Sequence, residues 1–278
     1  MPNTRELLVN PKLKVLVSSP PGGGKTTLAG TITKIVAKGR VYVFDFDQRI
    51  HVLSGLDIDY DSYDCTSPVS HDLALKKLDE ILKGAHYEAL ILDGLTTFSA
   101  AAMAKAQPLV KAFMPKARRL GSTPQDEIPI DMDYNAQMTY VEKFTQRIVA
   151  RFPGHVVFTA HEKDEKKEVP GQTDDSGRKK LLMTGRKQIA VSGQLSERYP
   201  GNFNELWRMG VELTADSSGH RVRKYRVQTR SDNETNARTS YPDALLDYEE
   251  PDFGVIYAKI LKHLASKAPA PEPVKVSA

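Results

Sequence analysis

The chain has 278 residues, 40% hydrophobic and 27% charged, enough for one large core carrying insertions. Its single cysteine, Cys65, excludes an internal disulfide and a cysteine-rich zinc site, and no apolar run approaches the roughly 20 residues of a membrane helix. A formal net charge of +4 permits a nucleic-acid partner without demanding one. Met1 to Asn10 lacks the apolar core of a signal peptide, so a soluble, intracellular protein is expected, with 1–11 as an N-terminal extension.

An apolar run from Leu13 to Val17 predicts a buried strand, and Leu28, Ala29, Ile32, Ile35 and Val36 predict a helix beginning near Lys25. Between them lies Ser19-Pro20-Pro21-Gly22-Gly23-Gly24-Lys25-Thr26-Thr27. Strand, glycine loop and helix start together suit a triphosphate. The loop, Pro21 to Thr27, curls so that the N–H groups from Gly22 onward face the phosphates, Lys25 reaches the β- and γ-phosphates, and the Thr26 hydroxyl faces Mg²⁺. Ser19 stands where the G-x-x-x-x-G-K-[ST] pattern has its first glycine. The bland alternative is a flexible glycine turn, which the flanking strand and helix argue against.

Arg40 to Asp47 reads as a second buried strand ending in the acidic tip Asp45-Phe46-Asp47, followed by an irregular stretch from Gln48 to Ser67. Leu73, Leu75, Leu78, Ile81 and Leu82 mark a helix, and Tyr87 to Asp93 a third strand. Strands alternating with helices argue for a mostly parallel α/β sheet. A helix is expected from Thr96 to Lys105, then a long loop over 107–131 broken by Pro108, Pro115, Gly121, Pro124 and Pro129. Another helix follows from about Asp133 to Phe152, and then the strand His155 to His161. Residues 162–187 read as a protruding hairpin or a loop that orders on binding, and Phe203 to Leu213 with Arg221 to Thr229 as an antiparallel pair. Asp252 to Leu264 is a last amphipathic helix, and 265–278 a disordered tail.

An aspartate at a strand end often caps the following helix, yet Asp93 combined with Lys25 and Thr26 suits a carboxylate beside Mg²⁺. Gly94 follows, so a water-activating carboxylate must come from another strand tip, and Asp47 is placed to supply it; the alternative for Asp45 and Asp47 is capping and loop solvation. His161, at a strand edge, is either a γ-phosphate sensor or a satisfied structural histidine. Basic residues gather in three stretches: Lys111 to Arg119; Arg178, Lys179, Lys180, Arg186 and Lys187; and Arg221 to Arg230. Solvated faces are the ordinary explanation, but near irregular loops they suit a single-stranded phosphate backbone, with Phe113, Tyr225 or Tyr241 for stacking. Arg230 and Arg238 are candidates to reach a neighbouring subunit's γ-phosphate.

The runs S-P-P-G-G-G-K-T-T, F-D-F-D, L-I-L-D-G-L-T, V-V-F-T-A-H-E-K (Val156 to Lys163) and V-Q-T-R (Val227 to Arg230) resemble a phage-type RecA-like ATPase family. Its members are nucleotide-binding AAA proteins of the single-strand annealing and recombination kind. The resemblance implies a RecA-like P-loop core over 12–264 with a late antiparallel strand pair. It also implies ATP and Mg²⁺ held by Lys25, Thr26 and Asp93, water handled by Asp47, and sensing by His161. Single-stranded DNA facing the long loops, a homo-oligomeric ring or filament, a single-strand-binding protein as candidate partner and the cytoplasm of a phage-infected or prophage-bearing bacterium complete it. A small-molecule or nucleotide kinase and a non-hydrolysing annealing module switched by nucleotide are the competing readings.

Overall fold

The computed structural model describes residues 10–84, 86–114, 128–173, 179–215 and 218–267. In chain order the strands are β1 (Lys14–Ser19), β2 (Val41–Asp45), β3 (Asp59–Ser62), β4 (Ala89–Asp93), β5 (His155–Thr173), β6 (Lys179–Ile189), β7 (Glu205–Ala215), β8 (Arg221–Gln228) and β9 (Tyr248–Glu249). The helices are α1 (Lys25–Gly30), α2 (Ser70–Gly84), α3 (Leu95–Phe113), α4 (Asp131–Arg151), α5 (Leu195–Arg198) and α6 (Phe253–Lys267). The sheet runs β3-β2-β4-β5-β1-β7-β8-β9, with β6 paired to the outer half of β5. Pairing is parallel from β3 through β7 and antiparallel for β7 with β8 and for β8 with β9. The expected mostly parallel α/β sheet with a late antiparallel pair is therefore present.

Because side chains alternate along a strand, each central strand feeds a core on each face. Leu16, Tyr42, Phe44, Leu90, Leu92 and Phe158 pack beneath α2, α3 and α4. Val15, Val17, Val41, Val43, Ile91 and Val157 pack against α1 and α6. Helix layers thus cover the sheet on both sides, which is why its central strands are apolar throughout. Within the first core, the rings of Phe98 and Phe144 lie 4.7 Å apart. Among the described residues, no helix is long and apolar enough to cross a membrane.

Several boundaries differ from expectation. The helix after the glycine loop ends at Gly30 and tightens into a 3-10 turn over Thr31–Lys34. Thr31 donates its hydroxyl to the Leu28 carbonyl at 2.7 Å and accepts the Phe253 N–H at 2.9 Å, so local bonding and the docking of α6 replace the next helical turn. The stretch 48–67 contains β3, a short exposed edge strand whose polar sequence hid it. Pro108 does not end its helix. α3 runs on to Phe113, because Ala101, Ala102, Ala106 and Val110 bury one face and outweigh the bond that the proline cannot donate. The expected long loop is correspondingly shorter at its N-terminal side, and its residues 115–127 lie outside the described residues. The tail boundary also moves, since Ala265 to Lys267 complete α6, while 268–278 lie outside the described residues.

β5 carries the longest reach in the fold. Its first part lies in the sheet between β4 and β1, and beyond His161 the same strand leaves the sheet and pairs with β6 from Glu162 opposite Ile189 to Thr173 opposite Lys179. The expected hairpin is present, as a two-stranded arm growing directly out of the sheet.

Candidate functional site

The carboxyl ends of β1, β2, β4 and β5 bring the glycine loop, Asp47, Asp93 and His161 together, as the topology of a parallel sheet requires. Gly22 and Gly24 have φ of +76° and +85°, left-handed values that let the loop curl before α1. A side chain at Gly24 would also meet the Tyr225 ring at 3.1 Å. The resulting cavity of about 210 Å³ is bounded by the loop, Asp47, Arg49, Val52, His161 and Tyr225.

Thr26 donates its hydroxyl to Asp93 Oδ2 at 2.8 Å, so the start of α1 and the tip of β4 meet directly. Asp93 Oδ1 accepts the Thr159 hydroxyl at 2.6 Å, and Thr159 in turn accepts the Gly94 N–H at 2.9 Å. Burial raises the Asp93 carboxyl to about 6 despite these hydroxyl bonds, which pull it down. A buried carboxylate with a threonine hydroxyl at its oxygens fits Mg²⁺, whose charge would hold it ionised.

Lys25 is buried, and its ammonium folds back to donate to Ser19 Oγ at 3.1 Å and to the Ser19 carbonyl at 3.3 Å. The serine at the first glycine position thus holds the resting lysine. Desolvation lowers the Lys25 pKa, while Asp47, Asp93 and Glu162 pull it upward. Lys25 Nζ also lies 3.2 Å from His161 Nδ1, and His161 Nε2 lies 3.7 Å from Asp47 Oδ2. Burial and then the Lys25 charge push His161 below its ordinary value. A neutral ring accepting from Lys25 at Nδ1 carries its proton on Nε2, facing Asp47.

Asp47 is fixed from its backbone outward. The Phe46 and Asp47 N–H groups donate to the Asp93 carbonyl at 2.9 and 3.2 Å, and the Thr97 hydroxyl donates to Asp47 Oδ1 at 2.6 Å. Asp45 takes the bland role: it is wholly buried and accepts the Arg49 N–H at 3.1 Å and the Ser62 hydroxyl at 2.8 Å.

The arginines proposed to act on a neighbour are engaged within their own chain. Arg230 pairs with Asp247 at 3.0 Å and donates to the Leu245 carbonyl at 3.2 Å; Arg238 donates to the Phe203 carbonyl at 2.7 Å. Of the basic residues on the arm, Lys180 and Arg186 are exposed on β6 and Lys187 pairs with Asp164, while Lys179 begins the strand and Arg178 lies outside the described residues. Lys116, Arg118 and Arg119 also fall outside them. Tyr225, a candidate for stacking on DNA, lines the loop cavity. Thr97, Thr159 and Arg49 were missed by sequence reading. The strand alternation that puts Thr159 beside His161's neighbours could have found it, whereas Thr97 and Arg49 sit where no periodicity marks them.

Against known families, one described as an AAA domain matches residues 11–241. No curated protein matches the chain. A solved structure, the X-ray structure of the Legionella pneumophila ATPase DotB, is similar at 10% identity and a TM-score of 0.31, covering 82% of this chain. The chain spans about half of that one, 49%.

Proposed function

This chain belongs to the AAA domain family of P-loop ATPases, and from that premise we propose that it hydrolyses magnesium ATP and couples hydrolysis to single-stranded DNA. The observation that carries the ATP site is the direct Thr26–Asp93 bond, 2.8 Å long, joining the phosphate loop to the acidic strand tip. The loop N–H groups and Lys25 bind the β- and γ-phosphates once Lys25 leaves Ser19. Thr26 and Asp93 would hold Mg²⁺, which neutralises charge on the phosphate oxygens. Asp47, pinned by Thr97, orients a water and takes its proton; the water oxygen bonds to the γ-phosphorus while the bond to the β-phosphate oxygen breaks, leaving that oxygen with the electron pair on ADP. His161, between Lys25 and Asp47, registers whether a γ-phosphate is present.

The DNA reading rests on exposed Lys180 and Arg186 on the arm and Arg221, Arg223 and Lys224 on β8, an arrangement suited to a phosphate backbone. With the resemblance described above, it supports a role in phage recombination, annealing or replication, exercised as an oligomer. ATPase rates with and without single-stranded DNA test the whole. Stimulation by DNA that vanishes in Lys25→Ala and Asp47→Asn is the expected result. DNA-independent turnover that requires a small acceptor would indicate a kinase, and annealing that survives Asp47→Asn would indicate a nucleotide switch without hydrolysis.

A further inference from the structure

Arg49 occupies a position that its local bonding does not explain. Beyond β2 the backbone turns through Gln48, at φ +54°, and this turn is held by the Arg49 N–H on buried Asp45 and by Gln48 Nε2 on the Tyr63 carbonyl at 3.3 Å. The turn sends the Arg49 side chain to the wall of the phosphate-loop cavity, where it joins Lys25, Asp47 and His161. It is exposed, and among the described residues its guanidinium has no hydrogen-bond or ion-pair partner. Arg147, Arg208, Arg226 and Arg230 all have carboxylate partners.

The surrounding charges sharpen the contrast. The Arg49 cation bears on both Lys25 and His161 and disfavours the charged form of each, so like charges converge here. Asp47, the carboxylate on the same wall, already accepts Thr97 and faces His161. An exposed, unpaired guanidinium on the same cavity wall as an ammonium favours an anion between them, and a planar guanidinium suits phosphate oxygens.

We propose that Arg49 is a catalytic arginine acting in cis: its guanidinium contacts the γ-phosphate of the nucleotide held by its own chain and offsets the charge that builds on the γ-phosphoryl oxygens during transfer. This rests on the ATP site proposed above and assigns the arginine role to this residue in place of Arg230 or Arg238. The bonds made and broken are those already given, and Arg49 exchanges no proton. Its contribution is positioned charge.

The test uses the full chain with Arg49→Ala and Arg49→Lys, measuring affinity for magnesium ADP, affinity for magnesium β,γ-imido-ATP, and steady-state kcat. For Arg49→Ala the expected result is ADP affinity unchanged within about twofold, analogue affinity weakened about tenfold, and kcat reduced on the order of 10³-fold, the low end for arginine fingers. Arg49→Lys should recover part of the analogue affinity, since charge without the planar fork is retained. An unchanged preference for the analogue over ADP would overturn the proposal, as would equal loss of both affinities. Mixing Arg49→Ala with Lys25→Ala protein separates cis from trans: no recovery of turnover is expected, and recovery would overturn the cis assignment. Failure of the wild type to bind either nucleotide sinks the ATP site itself, whereas wild-type binding with an indifferent Arg49→Ala sinks this inference alone. If the wild type binds without turning over, the ratio of analogue to ADP affinity still decides.

Discussion

At Gly94 the candidate site depends on the absence of a side chain. Its φ is +97°, and a Cβ there would lie 2.2 Å from Thr97 Oγ1 and 2.3 Å from Asp47 Oδ1. The space is filled by the Asp47 carboxylate, arriving from the end of β2. Gly94→Ala is therefore expected to push Asp47 and Thr97 apart and lower kcat on the order of 10²-fold, the weight of a displaced general base, while nucleotide affinity stays near wild type. Steady-state turnover and titration with magnesium ADP measure the two. Wild-type turnover in that variant would remove Asp47 from the base role. This pair also marks how far residues could be read from sequence. The glycine after Asp93 and the F-D-F-D tip were legible as a site where a carboxylate comes in beside Asp93, because both are strand-end features. The hydroxyls that lock the arrangement, Thr97 and Thr159, were not, because their partners lie 50 and 66 residues away in the chain.

Among elements, the junction of β1 and β5 determines where the site residues stand. The Leu13 N–H donates to His155 Nδ1 at 3.2 Å and the Val156 N–H to the Leu13 carbonyl at 2.8 Å, so the strands carrying the phosphate loop and His161 are clamped together at their starts. Tyr257 of α6 packs edge-on against the His155 ring, sealing it. Desolvation, then the charges of Lys12 and Lys14, lower His155 to about 3, so the folded protein keeps the ring neutral where an unfolded chain would protonate it. The unfolded state thus binds the extra proton as pH falls. His155's contribution is complete above about 6.5 and is lost progressively between there and about 3, to the extent of a few kcal/mol. His155→Asn keeps an acceptor for the Leu13 N–H without a titrating ring. Chemical denaturation between pH 7 and pH 4.5 should show a shallower loss of stability in the variant, and an unchanged slope would mean that other groups set the acid limb. The strands at this junction were visible as apolar runs. The continuation of β5 past His161 as one strand was not, since the alternation breaks into charge as soon as the sheet gives way to the arm.

Across the whole molecule, one strand joins the phosphate-loop cavity to the arm on which Lys180 and Arg186 are exposed. His161 sits where β5 leaves the sheet, and Glu162, the next residue, accepts the Ser18 hydroxyl at 2.9 Å and Arg208 Nε at 3.0 Å, tying the base of the arm to β1 and β7. A shift of His161 on losing a γ-phosphate would have to bend the arm or break these bonds, so a nucleotide-dependent change would be directed toward Lys180 and Arg186. Exposed Leu181, Leu182 and Met183 on the same strand alternate between its faces and give the arm apolar surface near its cations, a combination that suits bases as well as phosphates. Lys180→Glu with Arg186→Glu is accordingly expected to weaken binding of a single-stranded oligonucleotide and to reduce the magnitude of its salt slope by about 1.4, or about 0.7 for each phosphate contact removed. Both residues lie outside the ATP cavity, so affinity for magnesium ADP should be unaltered. An unchanged oligonucleotide affinity and salt slope would move the DNA contact to the basic outer half of β8, where Arg221, Arg223 and Lys224 are exposed, and would leave the arm as a nucleotide-sensing element for some other purpose.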